Sequence, residues 1–319
     1  MIESIRRRLP WRIRTGALRL LGRELVVELL LPRPPRIGSS ASGAVVDRAR
    51  TLTIRTPSRT YVNRLLAASG LAGYDADTLA CFLAAIDDRD SAPVFDVGAN
   101  IGIFSWLAAA LTPATVVAFE PTPDLNAQMR AICNANDLAV TVEQLALGAA
   151  PGTAQLYLSD QTDSSNSLRA GFRPSRRSVS VTVDTIDRYV ASTGTAPHVI
   201  KVDTESTEPD VLRGAAGLLA TNRPWIICEV LAGRTEDDLT AILAPLGYCW
   251  FRIDGAQPLV RRTLIEGDLS YEHMNWLFAP EEPGPAFWQA LAGWRTSIAE
   301  ISTEARGPLH AAVDGRAAD

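Results

Sequence analysis

The segment HVIKVDTESTEPDVLRGA places the single lysine of the chain, Lys201, two residues before Asp203 and four before Glu205, with Glu208 next. In an extended strand, alternation points Lys201, Asp203 and Glu205 to one face. A lysine inside a buried strand needs a carboxylate partner, because an orphaned buried charge is costly. Asp203 supplies one, and Glu229, ending the run WIICEV, supplies another. A carboxylate at a strand tip can also take the proton from a hydroxyl under attack by an electrophile, a general-base contribution of about 10²–10⁴-fold. The expected roles are Glu205 as base, Asp203 as the alternative base or the partner of a cationic ligand group, and Lys201 with Glu229 as the supporting pair. A structural cluster that knits two strands and caps a helix is the competing account. Carboxylates in this number can hold Mg²⁺, which prefers oxygen ligands, but no dedicated aspartate pair is present and no metal is assigned.

A second constellation is Asp96-Val97-Gly98-Ala99-Asn100-Ile101-Gly102, where an apolar run, PVFDV, gives way to a helical pattern. Glycines at such a turn let a ligand approach the backbone, and the helix N-terminus offers unpaired N–H groups. A dinucleotide site would carry three glycines, G-x-G-x-x-G, with pyrophosphate at that terminus. Here two glycines stand four apart, behind an acid. Asp96 repels pyrophosphate but suits a ligand bearing an ammonium and a sulfonium, which describes S-adenosylmethionine. Glu120 ends the run VVAFE 22 residues beyond Gly98, the position from which an acid can accept both ribose hydroxyls. The turn Gln144-Leu145-Ala146 then borders the adenine. The expected cofactor residues are thus Asp96, Gly98, Asn100, Gly102, Glu120, Gln144, Leu145, Ala146 and Asp203.

The elements that must position these groups alternate between strand and helix from about Tyr61 to Pro280, the pattern of a parallel sheet wrapped by helices. Buried strands are expected at PVFDV, TVVAFE, VTVEQLAL, HVIKVD and WIICEV, with helices at Asp75–Asp87, Ile103–Leu111, Asp124–Ala135, Asp184–Ala191, Pro209–Leu219 and Glu236–Leu246. AQLYLS and SVSVTV read as an inserted antiparallel hairpin, and YCWFRI with MNWLFAP as a closing antiparallel pair. The chain divides into a basic arm and linker (1–58), a catalytic-type domain (59–280) and a helical tail (281–319). Ile13, Ala17, Leu20, Leu21 and Leu25 recur at helical spacing, so a helix is expected over Trp11–Leu31.

Composition narrows the class. With 319 residues, 47% hydrophobic and 21% charged, the chain can bury a full core without disulfides. Its four cysteines show neither zinc-finger nor redox spacing, which suits reduced core thiols in a cytoplasmic protein. A net charge of −5 argues against a general nucleic-acid binder. Arginines crowd residues 1–45, but Glu28 and Pro32 interrupt the apolar run there, excluding a membrane span or secretory segment. Packing of that arm on the body or on a second subunit is expected, with membrane-surface contact the secondary reading. His198 starts the fourth strand, at the wrong end of the sheet for chemistry.

Between Tyr61 and Pro280 the chain resembles the FkbM family of methyltransferases. The marks are FDVGANIG (Phe95–Gly102), AFEPTP (Ala118–Pro123), LALG (Leu145–Gly148), SLR (Ser167–Arg169), VTVDTID (Val181–Asp187) and IKVDTESTEPDVLRGA (Ile200–Ala215). The resemblance implies a Rossmann-like class I fold. Its sheet would be seven-stranded and mostly parallel with a closing antiparallel strand, flanked by terminal helical extensions. It also implies S-adenosylmethionine as cofactor and, as acceptor, a small-molecule hydroxyl of a sugar or polyketide-like secondary metabolite. The family's usual K-x-D-x-E-G-x-E has glycine where this chain has Ser206. Thr207 with Asp210 resembles a capping box that would start the next helix. The competing functions are a nucleotide-dependent oxidoreductase, which would want a third glycine and a hydride-relay residue, and a catalytically inactive cofactor-binding module.

Overall fold

The computed structural model describes residues 24–32, 34–35, 51–57, 60–87 and 92–304. Two strands come first: β1 (Glu24–Leu30) and β2 (Thr51–Pro57) pair antiparallel, with Glu24 opposite Pro57. The strand β1 corrects the expected helix over its last turns. LVVELL satisfies a period of two as well as one of 3.6, and pairing with β2 selects the former by burying Val27 and Leu29 against Leu52 and Ile54. The earlier part of that expected helix lies outside the described residues. Helices α1 (Tyr61–Ser69) and α2 (Ala76–Asp87) follow.

Next comes the alternating unit β3 (Val94–Val97), α3 (Ile103–Leu111), β4 (Val116–Phe119), α4 (Pro123–Ala135) and β5 (Val140–Glu143). Strands β6 (Ala146–Leu147), β7 (Gly152–Leu158) and β8 (Arg177–Asp184) form a separate three-stranded sheet, in which β7 and β8 are the expected hairpin. The chain returns through α5 (Ile186–Thr193), β9 (Val199–Val202), α6 (Glu208–Arg213), α7 (Ala216–Thr221), β10 (Trp225–Glu229) and α8 (Glu236–Leu243). It closes with β11 (Cys249–Arg252), β12 (Arg261–Arg262), β13 (Asn275–Ala279) and α9 (Pro285–Glu304).

The main sheet has the order β12-β11-β13-β10-β9-β3-β4-β5. β5, β4, β3, β9 and β10 run parallel, and β13 enters antiparallel between β10 and β11. This is the expected Rossmann-like arrangement, with the two-residue β12 added at the far edge. Parallel strands buried on both faces need apolar residues throughout, and VFDV, VVAF, VIKV and WIICE are buried along their whole length. One face packs Val94, Val116, Val199 and Ile227 under α2, α3, α4 and α9. The other packs Phe95, Val117, Ile200 and Ile226 under α5 to α8. Helix α9 is tied into the first layer by Trp294, whose Nε1 donates to Asp87 Oδ2 at 2.6 Å, and by Phe287 stacked on Trp225.

One continuous helix was expected at Pro209–Leu219; the chain breaks it into α6 and α7. The cause is Gly214: a Cβ there would sit 2.0 Å from the Gly148 carbonyl oxygen, so the end of β6 presses on the backbone at that point. Asp187 then accepts from Gly217 N and Leu218 N, serving the open start of α7. No helix among the described residues is long and apolar enough to cross a membrane.

Candidate active site

The carboxyl ends of β3, β4, β9 and β10 bring the acidic groups to one edge of the sheet, where open parallel sheets bind their ligands. Two cavities open there. The first is lined by Glu120, Leu145, Ala146, Leu125, Leu156 and Asn166, among others; the second by Tyr74, Asp75, Asp96, Lys201, Glu229 and Asn275, among others. They share Gly98, Asn100, Ser164, Asp203 and Glu205. The two constellations picked out in the sequence therefore face one continuous site.

In the first cavity Glu120 is held from both sides: Oε2 accepts from Asn100 N and Oε1 from Thr122 N, each at 2.8 Å. Asn100 makes that possible by adopting φ 56°, a left-handed conformation that asparagine tolerates better than most residues. Burial pushes the Glu120 carboxyl up to about 7, against the pull of those two N–H groups. The apolar wall includes Leu125, Leu145, Leu147 and Leu156. Asp163, Ser164 and Asn166 close the opposite side. They come from the polar loop after β7, whose run QTDSSNS gives no periodic signal and was not singled out in the sequence.

Several expected cofactor residues sit elsewhere than foreseen. Gly98, at φ 78°, has no room for a side chain, since a Cβ would lie 1.9 Å from the Asp203 carbonyl oxygen. Its glycine is explained by that backbone contact before any ligand arrives. Gly102 lines neither cavity; a Cβ there would strike Met129 and Trp106. Gln144 is exposed and lines neither, while its neighbours Leu145 and Ala146 line the first. Asp96 belongs to the second cavity, and its Oδ2 accepts from Ser105 N and Oγ at 3.1 and 2.6 Å, which anchors α3. Burial raises Asp96 to about 6.

Lys201 is fully buried, with its Nζ 3.0 Å from Asp203 Oδ2 and 5.2 Å from the centre of the Phe104 ring. Burial alone would lower its pKa, but the charge and hydrogen bond of Asp203, and the charge of Glu229 beyond, hold it above the usual lysine value. The bonded partner is thus Asp203, one of the two that the sequence offers, while Glu229 of the expected supporting pair acts on Lys201 only through its charge. Glu229 Oε2 is buried without a hydrogen-bond partner, and burial beside Asp203, Glu205 and Glu208 pushes that carboxyl well above the usual range. Asp203, Glu205 and Glu229 each present an oxygen within 4.8 Å of the others, a grouping close enough to share one cation. Lys201 is the cation that the chain itself supplies there.

Glu205 lies in a turn beyond the strand, at φ 58°, with its carbonyl accepting from Ser167 Oγ at 2.7 Å. Burial, then the charges of Asp203 and Glu208, raise its carboxyl well above the usual value, which suits a group that must accept a proton from an alcohol. Ser206 follows at φ 83°, fully buried, with its hydroxyl unpartnered. The expected Thr207–Asp210 capping box is not formed: Thr207 Oγ1 donates back to Thr204 O at 3.3 Å. The turn is held instead by Glu208 Oε1, which accepts from Thr204 N, Thr204 Oγ1 and Ser206 N. Glu208 is therefore occupied structurally and lines neither cavity. His198, as expected, sits at the start of β9, its N–H bound to Pro93 O, far from this edge.

Part of the chain is similar to known proteins. Residues 96–253 match the model of the methyltransferase FkbM domain. The hexuronic acid methyltransferase AglP of Haloferax volcanii is 30% identical over 154 residues, 47% of this chain and 61% of that protein. The chain thus spans about three fifths of that relative's length. The structure of methyltransferase FkbM from Methylobacillus flagellatus KT is 22% identical, with a TM-score of 0.39 over 59% of this chain and 43% of that one. Magnesium protoporphyrin IX methyltransferase from Synechocystis PCC 6803, solved with bound SAM, is 14% identical, with a TM-score of 0.37 over 69% of this chain and 84% of that one. Both structural likenesses are too loose to bear on site or substrate. Residues 96–253, 158 of the 319 in the chain, are thus similar to the FkbM domain of methyltransferases.

Proposed function

We propose that the chain transfers a methyl group from S-adenosylmethionine to a hydroxyl of a sugar or polyketide-like acceptor. The observation that carries this reading is the meeting of the two cavities at Gly98, Asn100, Asp203 and Glu205, with a ribose-type carboxylate in one and a proton-accepting carboxylate on the border. The first cavity fits the cofactor. Each oxygen of Glu120 has one backbone donor and keeps a lone pair for a ribose hydroxyl. The leucine wall gives an adenine ring an apolar bed. The cofactor, when bound, supplies a methyl group activated on a cationic sulfur.

The chain's own groups do the rest. Asp203 and Glu205 offer negative charge at the border, where a cationic ligand is stabilised most. Glu205 receives the proton that the alcohol gives up as its oxygen takes the methyl group. Lys201 fixes the Asp203 carboxylate, and Glu208 fixes the turn that carries Glu205. A curated relative named as a hexuronic acid methyltransferase supports an acceptor of the sugar class.

Calorimetry with S-adenosylhomocysteine and with NAD tests the cofactor. Binding of the former, weakened about 10- to 100-fold in Glu120→Ala by the loss of hydrogen bonds to a charged acceptor, is expected. Binding of NAD instead, or equal affinity in the variant, would overturn the assignment. Labelled methyl transfer to a panel of alcohols then tests the reaction.

A further inference from the structure

Three residues that line the second cavity but not the first, Asp75, Glu229 and Asn275, come together from distant parts of the chain. Asn275 begins β13 and stands opposite Glu229 in the antiparallel pair with β10. Its Nδ2 donates to Asp75 Oδ2 at 2.9 Å, across 200 residues of sequence. That bond fixes the orientation of the amide, because only the nitrogen can donate to the carboxylate. The amide oxygen Oδ1 is left buried with no partner, and so is Glu229 Oε2 beside it. Both side chains are more than nine-tenths buried, and both residues line the second cavity but not the first. Buried polar atoms in native proteins are almost always satisfied, so two orphans side by side in a cavity wall call for a ligand.

The chemistry of that ligand follows from the atoms. Asn275 Oδ1 can only accept, so the ligand must donate. Glu229 Oε2, on the cross-strand neighbour, is free to exchange a hydrogen bond with the same group. A hydroxyl answers both demands; a carboxylate or ketone leaves Asn275 unsatisfied. The surrounding charge points the same way. Asp75, Asp96, Asp203, Glu205 and Glu229 line the cavity, and among the described residues its one cation, Lys201, is already bonded to Asp203.

We infer that Asn275, oriented by Asp75 and paired with Glu229, binds a second hydroxyl of the acceptor, so that the substrate is a polyhydroxylated molecule without a carboxylate near the reacting group. This rests on the methyl-transfer reading above. Asn275 is a specificity-determining residue, and Asp75 a positioning residue that acts through it.

The test crosses acceptor structure with residue identity. Methyl transfer is measured with a neutral methyl glycoside, its monodeoxy analogues and its uronate, using wild type and Asn275→Leu. In the wild type, removal of one particular hydroxyl lowers kcat/KM by about 10- to 100-fold, the effect of leaving a buried acceptor unpaired. In Asn275→Leu the same deletion changes little, while affinity for S-adenosylhomocysteine stays at the wild-type value. If the leucine variant does not fold, the smaller, strand-compatible Asn275→Val, which also lacks the accepting oxygen, replaces it, with the same expectation. A uronate turned over better than its neutral parent overturns the inference. So does a deoxy penalty that is unchanged in the variant, or a loss of S-adenosylhomocysteine affinity in the variant. Cofactor binding without transfer to any neutral glycoside overturns the acceptor class alone, whereas failure to bind S-adenosylhomocysteine at all overturns the methyl-transfer reading beneath it.

Discussion

Replacing Ser206 should stabilise the protein, and the gain separates into two parts. Ser206 occupies φ 83° with its hydroxyl buried and unpartnered. A non-glycine residue in the left-handed region costs about 1–2 kcal/mol, and a buried unsatisfied hydroxyl about 1–3 kcal/mol. Ser206→Ala removes the hydroxyl but keeps the Cβ, so it should gain about 1 kcal/mol. Ser206→Gly removes both costs and gives back about 0.5–1 kcal/mol in unfolded-chain entropy, for a net gain of about 2 kcal/mol. At about 2–4 °C per kcal/mol for a large domain, the melting temperature should rise by about 2–4 °C for alanine and about 4–8 °C for glycine. Differential scanning calorimetry at constant pH reads both. An alanine variant as stable as the glycine variant would show that the backbone stores no strain at this turn. Two variants melting at or below the wild type would refute the whole account, including the claim that the hydroxyl lacks a partner.

Glu205→Gln should lower turnover by about 10²–10⁴-fold with nearly unchanged S-adenosylhomocysteine affinity; a rate within threefold of wild type would move the base to Asp203. Lys201→Met should cost about 3–5 kcal/mol at pH 8, because it strands Asp203, Glu205 and Glu229 without a buried counter-charge. The loss should shrink towards pH 5: burial raises Glu208 from 4.5 to about 7 and Glu205 and Glu229 in the same direction, so the folded state holds these protons longer than the unfolded chain. Their contribution to stability is therefore full below about 4.5 and is lost as pH rises through about 7. Urea midpoints at the two pH values read this, and an equal loss at both would contradict it. Deleting residues 1–45 removes β1 and uncovers Leu52 and Ile54, for which a loss of about 3–6 kcal/mol is expected at about 1.5–3 kcal/mol per buried aliphatic side chain. Unchanged thermal unfolding would show β1 and β2 to be dispensable.

The sheet was legible because its strands are apolar on both faces and end in acids, and those acids mark the edge where ligands bind. Local pattern also placed α3 at Ile103–Leu111. What escaped depended on contacts remote in sequence. LVVELL fits two periods, and only pairing with residues 51–57 decides between them. Gly98 is expected to leave room for a ligand, yet what excludes a side chain there is the Asp203 carbonyl, 105 residues away. The partner of Lys201 is a matter of ångströms that alternation cannot resolve, since Asp203 and Glu229 both fit the pattern. Asp75 carries no motif, and the run NWLFAP marks Asn275 without giving it a role; each becomes meaningful only once β13 lies beside β10.

That strand order also bears on how the chain emerges during synthesis. β13 pairs with β10 on one side and β11 on the other, although β11 is made first. Until residue 279 has left the ribosome, the edge of β10 is bare, and its sequence, WIICE, is buried on every residue in the finished protein. An uncovered apolar edge is a template for pairing with any extended segment nearby. β11 arrives early enough to take the wrong place, and other nascent chains can do so too. The first cavity has all its lining residues by residue 207, but the last wall of the second and the protection of this edge arrive together, with one late strand. A chain stopped between residues 253 and 275 should hence be lost to aggregation before it can fail at catalysis.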